Sequence, residues 1–155
     1  MPHIPIVDKV EDFIDFSEAG RKLADLHCDY ENAAPCPNVV VIGADKGNFH
    51  VEKMRFAGRQ RAWDKTTIIY NSDITISNIP LQAYDYVVNG RSAIEWIMES
   101  YRIKVDKASG IVNDPNDWKK EHGQPRYILD LLLSIIAVSL ETNRIIVGLP
   151  HIEFN

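Results

Sequence analysis

The chain has 155 residues, 45% of them hydrophobic and 25% charged, which suffices for one domain with a sizeable core and is ordinary for a soluble globular protein. Its formal net charge of −5 gives no overall basic signal for nucleic acid. Cys28 and Cys36 are too few for a disulfide framework and suit a reducing cytoplasm, although a single bridge between them stays open.

The amino-terminal stretch predicts a helix rather than a targeting segment. Its opening, "MPHIPIVDKVEDF", is acidic and lacks a long apolar core, so we predict no signal peptide. From Val10 to His27, apolar residues recur at spacings of three and four, which predicts one helix with a single apolar face.

The next part of the chain predicts strands. The short apolar run Val39–Ile42 is typical of a buried strand, and "FHVEKMRF", residues 49–56, predicts a second one. Residues 57–65, "AGRQRAWDK", are predicted to form a basic loop. β-branched residues then predict a hairpin with strands at 66–70 and 74–77, because the residues between them tolerate turn geometry.

The remainder predicts helices. Pro80 suits the first turn of a helix that Asn89-Gly90 ends. Ser92 and Glu95 have the spacing of a capping box for the next helix. A long last helix follows Pro125, with most of its circumference buried. Its polar residues fall on one narrow stripe together with an alanine: Asp130, Ser134, Ala137, Glu141 and Arg144.

The order of these elements predicts the fold class. One helix leads, strands follow, and a largely buried helical part ends the chain, which indicates an α+β fold with a small antiparallel sheet. The apolar run from Leu131 to Leu140 is about half of the roughly twenty residues that a membrane span needs, so we predict a buried helix and no membrane association.

The stretch "SGIVNDPNDW", residues 109–118, resembles the loop with which amino-methyltransferases grip a flipped base. That loop needs a second proline or a close substitute, and Asn116 stands there instead. A methyl-donor site normally follows a strand as a glycine-rich loop, and the only candidate, around Gly43 and Gly47, has no predicted helix after it. We therefore predict that Asp114 caps a helix that starts at Pro115, and that the chain has no catalytic residues.

Other chemistries are less supported. The candidate zinc ligands His27, Cys28, Cys36 and His50 lack the spacing that places two ligands on one turn, and His27 lies on an apolar helix face. Acidic residues at 114–121 are more simply explained as helix-end residues than as magnesium ligands. The sequence also has no phosphate-binding Gly-x-x-x-x-Gly-Lys loop. We predict no metal and no cofactor.

Positive charge is concentrated in one segment, residues 46–66, which we call the basic island. It has six basic and two acidic side chains, a net charge of +4, whereas residues 1–45 have a net charge of −6. Arginines interleaved with aromatic residues suit recognition of phosphate or guanine, while an exposed polar loop without a partner is an equal alternative. The candidate contacts are Lys46, Lys53, Arg55, Arg59, Arg61 and Lys65, with Arg91 as a weaker additional one.

A run of sequence blocks resembles a known family. "FSEAGRKLADLH" resembles the junction after gamma-class N6-adenine methyltransferase domains. "VEKMRF", "TIIYNSDITISNIP", "YVVNGRSAIEWIMESY", "GIVNDPNDW" and "PRYILDLLLSIIAVSLETNRIIVGLP" resemble the C-terminal specificity domain of Type ISP restriction-modification enzymes. The resemblance covers nearly all of residues 5–150, and the family's catalytic motifs are absent from this chain.

The resemblance implies a role and a domain organisation. In this family, nuclease, helicase-like ATPase, methyltransferase and target-recognition parts follow one another along one bacterial polypeptide. Residues 38–155 would then be the target-recognition domain for double-stranded DNA, and residues 1–34 a leading helix and linker from the methyltransferase. The chain would not be an enzyme by itself. The alternative is a structural coupling or dimerisation module of the same enzyme that does not bind DNA.

Overall fold

The leading helix packs against the last one. In the computed structural model, which describes residue 7 and residues 9–151, helix α1 spans Val10–Cys28 and a 3-10 turn follows at Tyr30–Asn32. The predicted helix is confirmed. The excluded signal peptide falls mainly on residues 1–6, which lie outside the described residues.

A four-stranded antiparallel sheet forms the centre of the strand region, in the order β1-β4-β3-β2. Its strands are β1 at Val40–Ile42, β2 at Arg55–Arg59, β3 at Ala62–Ile69 and β4 at Thr75–Ser77. Ile68 pairs with Ile76, and both are fully buried, which fixes the inward face of the central pair. The predicted hairpin at 66–77 is confirmed.

Two short hairpins and three helices complete the fold. The hairpins pair β5, Val87–Val88, with β6, Arg91–Ser92, and β7, Lys104–Val105, with β8, Val112–Asn113. The helices are α2 at Ala93–Ser100, α3 at Asn116–His122 and α4 at Tyr127–Val147. The predicted capping box is confirmed, because the Ser92 hydroxyl accepts from the Glu95 N–H and the Glu95 carboxylate accepts from the Ser92 N–H.

Helix α4 lies at the centre of the core and is largely buried, as the sequence predicts. Residues 131–136 are all buried, and α1, α2 and the 3-10 turns at residues 30–32 and 81–84 contact the helix. The predicted polar stripe is not uniformly exposed, since Ser134 is 4% exposed and its hydroxyl donates to the carbonyls of Glu31 and Ala33. No helix in the described part of the chain combines the length and apolar character that crossing a bilayer requires.

The second predicted strand, at residues 49–56, is wrong. Residues 47–54 have no regular structure, and only the last two residues of the prediction enter β2. Val51 and Met54 are buried at 0% and 3% exposure although the predicted strand put them on opposite faces, so the segment turns to bury both. Tertiary packing overrides the alternating pattern here.

The predicted basic loop at 57–65 is also wrong, because these residues form the β2–β3 hairpin. The two strands close through a two-residue connection between Arg59 and Ala62. Arg61, in this connection, has a φ of 76°, the left-handed backbone that tight turns use.

The predicted helix from Pro80 to Asn89 is likewise wrong. A four-residue 3-10 turn at Leu81–Tyr84 replaces it, and Asn89-Gly90 joins β5 to β6 with φ angles of 50° and 80°. Positive φ at both residues of an Asn-Gly pair is the preferred geometry of a two-residue hairpin turn, so the pair turns a hairpin rather than ending a helix.

Two smaller expectations about burial need correction. Strand β1 lies at the sheet edge, and Val40 and Ile42 are 44% and 56% exposed instead of buried. His27, placed by the sequence on an apolar helix face and expected there as a buried histidine with its hydrogen bonds satisfied, is exposed, although its ring bonds Thr142 at 2.9 Å and stacks on Tyr86.

Candidate nucleic-acid interface

The outer half of the β2–β3 hairpin, residues 58–64, is exposed along its whole length. We call this segment the hairpin tip. It carries Arg59 and Arg61 beside the connection, and Trp63, 49% exposed, opposite Gly58. A Cβ at Gly58 would lie 2.4 Å from the Ala62 carbonyl oxygen, so the strands approach closely because this residue is glycine. The tip is a two-stranded ribbon with solvent on both faces.

The base of the hairpin is anchored to the core. The strand register jumps between Phe56, opposite Ile68, and Ala57, opposite Asp64. The carbonyls in the skipped segment bond elsewhere: that of Lys65 accepts from the Tyr84 hydroxyl at 2.7 Å. The tip is therefore held by a fixed support, in which Phe56 packs edge-on against Tyr84.

Lys65 takes part in this support. Its ammonium group lies 3.0 Å from Glu95 on α2, and 5.6 Å and 5.1 Å from the ring centroids of Phe56 and Tyr84. Lys46 is similarly occupied, with its ammonium 3.4 Å from Asp73. Neither contact tests the predicted DNA role of these two lysines, which stays a prediction.

Four cations of the basic island form no ion pair among the described residues: Lys53, Arg55, Arg59 and Arg61. They differ in this from four basic residues of segment 101–126, because Arg102 and Lys104 pair with Glu99, Lys120 with Asp117, and Arg126 with Asp130. Nearby carboxylates therefore offset most of the positive charge of that second segment. The basic island retains its charge.

Lys53 and Arg55 line a broad cavity of about 780 Å³ between the irregular segment 47–54 and the β3–β4 turn. The Asn71 side chain organises its wall, because its amide donates to the carbonyls of Asn48 and His50, while its oxygen accepts from the N–H groups of Asp73 and Ile74. Lys53 and Arg55 are thereby presented beside the base of the hairpin.

The stretch that resembles a base-gripping loop leads into helix α3, which begins at Asn116, one residue later than predicted, with Pro115 at the cap position. The Asp114 carboxylate accepts from the Asn116 N–H at 2.9 Å, and α3 ends at Gly123 with φ of 64°. The pKa of Asp114 is lowered: burial raises it, but the two hydrogen bonds from Asn116 together outweigh that effect. Trp118 stacks on His122 and Tyr127 with centroid distances of 4.2 and 3.9 Å, so its indole face is already covered.

Asn116 is a residue whose importance the sequence does not reveal. It is 2% exposed, and its amide bonds both backbone groups of Val51, 65 residues earlier in the chain. The sequence signals only that an asparagine replaces proline in the resembled loop. The sequence also gives no signal for Arg102, whose buried and unsatisfied Nε is visible only in the structure.

The candidate zinc and magnesium ligands that the sequence does not favour are not brought together in the structure. In residues 7 and 9–151, no group of three or more His, Cys, Asp or Glu side chains is arranged to hold a metal ion. Cys28 and Cys36 are both free thiols, which resolves the question of a bridge between them in the structure.

Comparison with known proteins relates the chain to one protein family and to solved structures of larger enzymes. The family model for the Type ISP C-terminal specificity domain matches residues 1–131. The chain is 46% identical to part of the ATP-dependent Type ISP restriction-modification enzyme LlaBIII, solved bound to DNA, with a TM-score of 0.86 over 100% of this chain and 10% of that one. It is 44% identical to part of a nuclease-deletion mutant of the Type ISP enzyme LlaGI in complex with a DNA substrate mimic, with a TM-score of 0.85 over 100% and 14% of the two chains.

A third structure, of a DrdV–DNA complex, shares the fold at 24% identity and a TM-score of 0.73 over 96% of this chain and 15% of that one. No curated protein sequence matches the chain. The chain spans about a tenth to a seventh of the length of the Type ISP chains it resembles. With its α+β architecture and a family model matched over most of its length, the chain belongs to the family of Type ISP C-terminal specificity domains.

Proposed function

We propose that this specificity domain recognises duplex DNA by placing the hairpin tip in the major groove. The observation that carries the proposal is the exposed two-stranded ribbon, which has arginines at its end and no carboxylate paired to them. The major groove of B-DNA is about 12 Å wide and admits a two-stranded β-ribbon. The solved complexes of LlaBIII and LlaGI with DNA support a DNA partner for a domain of this fold.

Arg59 and Arg61 are the residues that we assign to base edges. A guanidinium group donates two parallel hydrogen bonds to a guanine edge, which gives discrimination of about 1–3 kcal/mol per base. Arg61 has a φ of 76°, a conformation that disfavours every side chain larger than glycine. A strained residue at an exposed turn supports a role for its side chain rather than for its backbone.

Lys53 and Arg55 are assigned to the phosphate backbone. Both are exposed beside the base of the hairpin. If the tip entered the major groove, the sugar-phosphate backbones that border the groove would pass next to them. Phosphate contacts fix the register of a protein on DNA but do not read its sequence. The acidic segment 1–45 repels phosphate, so only the face with the hairpin approaches the duplex.

Within a longer chain, the domain would position preceding methyltransferase and helicase-like parts on DNA in the bacterial cytoplasm, with residues 1–34 as the leading connection. It would perform no turnover alone. Purified chain should therefore show no calorimetric binding of S-adenosylmethionine, and micromolar binding of that cofactor would overturn this assignment.

The test of DNA recognition is affinity for a randomised duplex pool, measured by fluorescence anisotropy over a range of salt concentrations. We expect Arg59→Ala and Arg61→Ala to relax preference at one or two base positions. Lys53→Ala should weaken binding on all sequences and lower the salt slope by about one. Arg144→Ala is the control, because Arg144 is exposed and paired with Glu141 on α4. Unchanged affinity, base preference and salt slope in the three test variants would disprove the proposal.

A coupling role is the second candidate, and an exposed apolar patch favours it. Val10, Phe13 and Ile14 at the start of α1 are 69%, 64% and 47% exposed. The occupant we propose is the preceding part of the longer chain, since comparable chains are about seven to ten times as long. Phe13→Asp should abolish association with a separately produced methyltransferase part, while DNA binding by the domain stays unchanged. Association that survives this substitution would exclude the patch as the contact.

A further inference from the structure

A small cleft lies between α2, the β5–β6 hairpin and the irregular segment 47–54. Its volume is about 310 Å³. Three cations from separate parts of the chain line it, together with two carboxylates and an apolar floor: Lys53, Met54, Gly90, Arg91, Glu95, Met98, Glu99 and Arg102. We call it the three-cation cleft.

The backbone brings the three cations together. The Ile103 N–H donates to the Glu52 carbonyl at 3.0 Å, which ties the residue next to Lys53 to the residue next to Arg102. Arg91 enters from β6 directly after the Asn-Gly turn, and its guanidinium lies 5.4 Å from the ring centroid of Trp96. That indole is itself fixed, since its N–H donates to the Val88 carbonyl at 2.7 Å. Arg91 is thereby held in place before any ligand arrives.

The two carboxylates of the cleft are already neutralised. Glu95 accepts from the Ser92 hydroxyl and pairs with Lys65, whose ammonium lies outside the lining. Glu99 pairs with Arg102 at 2.6 Å and with Lys104 at 3.6 Å. With Lys65 and Lys104 included, five cations surround two carboxylates. The cleft has a surplus of positive charge.

Arg102 has a hydrogen-bond donor that the chain does not satisfy. Its Nε is buried and has no hydrogen-bond partner among the described residues, although its terminal nitrogen binds Glu99. Buried donors in native proteins nearly always have an acceptor. The guanidinium plane is suited to a tetrahedral oxyanion, which accepts from two nitrogens at once.

We propose that the three-cation cleft binds one phosphate group of the DNA backbone, with Lys53, Arg91 and Arg102 as its ligands. The inference rests on the proposed DNA recognition and extends the phosphate contact of Lys53 into the cleft, where Arg91 and Arg102 join it. Met54 and Met98, 3% and 9% exposed, give the cleft a buried apolar floor, which strengthens the attraction between the phosphate and the cations. A phosphate contact of this kind sets register without reading bases.

The test compares Arg91→Gln and Arg102→Gln with Arg126→Gln. Arg126 is a matched control because it also pairs with a carboxylate, Asp130, and lies over an aromatic ring, Phe49, but lines a different part of the surface. We expect each cleft variant to weaken binding equally on all duplex sequences and to lower the salt slope by about one, with base preference unchanged. The control variant should leave both quantities as they are.

Melting temperature separates binding from folding, since Arg102→Gln also removes an ion pair. Arg102→Lys keeps the charge and the pairing with Glu99 but lacks the forked donor, so it should still weaken DNA binding. If the hairpin variants lose preference while the cleft variants bind normally, this inference fails and the proposed function stands. If neither set of variants binds DNA differently, both fail.

Free phosphate is the other source of the same ligand chemistry. Titration with inorganic phosphate, followed by the nuclear magnetic resonance signal of the Arg102 Nε–H, distinguishes it from the DNA backbone. We expect a saturable shift with a short duplex at concentrations where inorganic phosphate causes none. A shift with inorganic phosphate but none with DNA would overturn the assignment to the backbone.

Discussion

The side-chain amide of Asn116 pairs with both backbone groups of Val51. Its oxygen accepts from the Val51 N–H at 2.9 Å, and its nitrogen donates to the Val51 carbonyl at 2.8 Å. Both residues are buried, at 2% and 0% exposure. An irregular segment cannot satisfy its backbone through a strand ladder, so this amide supplies the hydrogen-bond partners that Val51 would otherwise find on a neighbouring strand.

Asn116→Ala is expected to destabilise the chain by roughly 2–6 kcal/mol, because two buried backbone groups lose their partner at about 1–3 kcal/mol each. Asn116→Asp keeps the shape but cannot donate to the Val51 carbonyl, so it should be at least as harmful at pH 7. Urea unfolding measures both. If the free energy of unfolding of the Asp variant recovers at pH 5, where the new carboxyl gains a proton, the result supports the hydrogen-bond explanation. An Ala variant as stable as the unmodified chain would contradict it.

Asp114→Ala is expected to cost on the order of 1 kcal/mol, the usual cost of losing a helix cap. Asp114→Asn and Asp114→Ser should recover most of it, because both retain an oxygen that accepts from the Asn116 N–H. A catalytic carboxylate would behave differently, since both replacements would fail functionally with little change in melting temperature.

The same cap should make stability depend on pH. The pKa of Asp114 is lowered in the folded chain, since the bonds from Asn116 outweigh the opposing effect of burial. A lowered folded pKa gives stability that is present above the unfolded value, about 3.9, and is lost as pH falls through the folded pKa. Between pH 5 and pH 2, Asp114→Asn should therefore lose less stability than the unmodified chain. Parallel acid-unfolding curves for the two proteins would contradict this.

Arg61→Gly should separate folding from recognition. Glycine relieves the positive φ of residue 61, so the free energy of unfolding should stay the same or rise by up to about 1 kcal/mol. Base preference should be lost with the side chain. Gly58→Ala is the opposite case, because a Cβ there lies 2.4 Å from a backbone oxygen and φ is 91°. It should distort the tip while leaving the buried core in place, as amide exchange of core residues would show.

Lys65 and Glu95 should contribute little to stability. Their side chains are 41% and 31% exposed, and pairs of this kind are worth about 0–1 kcal/mol. A double-mutant cycle with Lys65→Met and Glu95→Gln measures the coupling. If Lys65 also contacts phosphate, Lys65→Met lowers the salt slope of DNA binding beyond what Glu95→Gln does, and equal slopes would limit Lys65 to the support of the hairpin.

Helices whose signals are local were predictable from the sequence. The capping box of Ser92 and Glu95, the spacing of α1 and the apolar α4 each depend on residues within a few turns of one another. The β3–β4 hairpin was predictable for the same reason. These elements place the core, and the basic island was also visible as a charge pattern.

The form of the candidate site was not predictable, because it depends on contacts distant in sequence. The alternating pattern of residues 49–56 indicates a strand, yet Val51 is bound by Asn116 and no neighbouring strand is available to it. The turn residues at 60–61 lack the Asn-Gly signature that marks hairpins, so residues 57–65 were predicted as a loop. Asn89-Gly90 has that signature, but Pro80 suits the first turn of a helix, so the pair was predicted to end a helix instead.

The exposed hairpin tip has a consequence for how this domain diverges. Residues 58–64 make no contribution to the buried core, and the register jump at Phe56 and Ala57 isolates them from the strands that do. Substitutions in the tip therefore meet little folding constraint beyond the glycine at 58 and the turn at 61. If the tip reads DNA as proposed, exchanging these seven residues between homologous domains should change DNA specificity without changes to the rest of the fold.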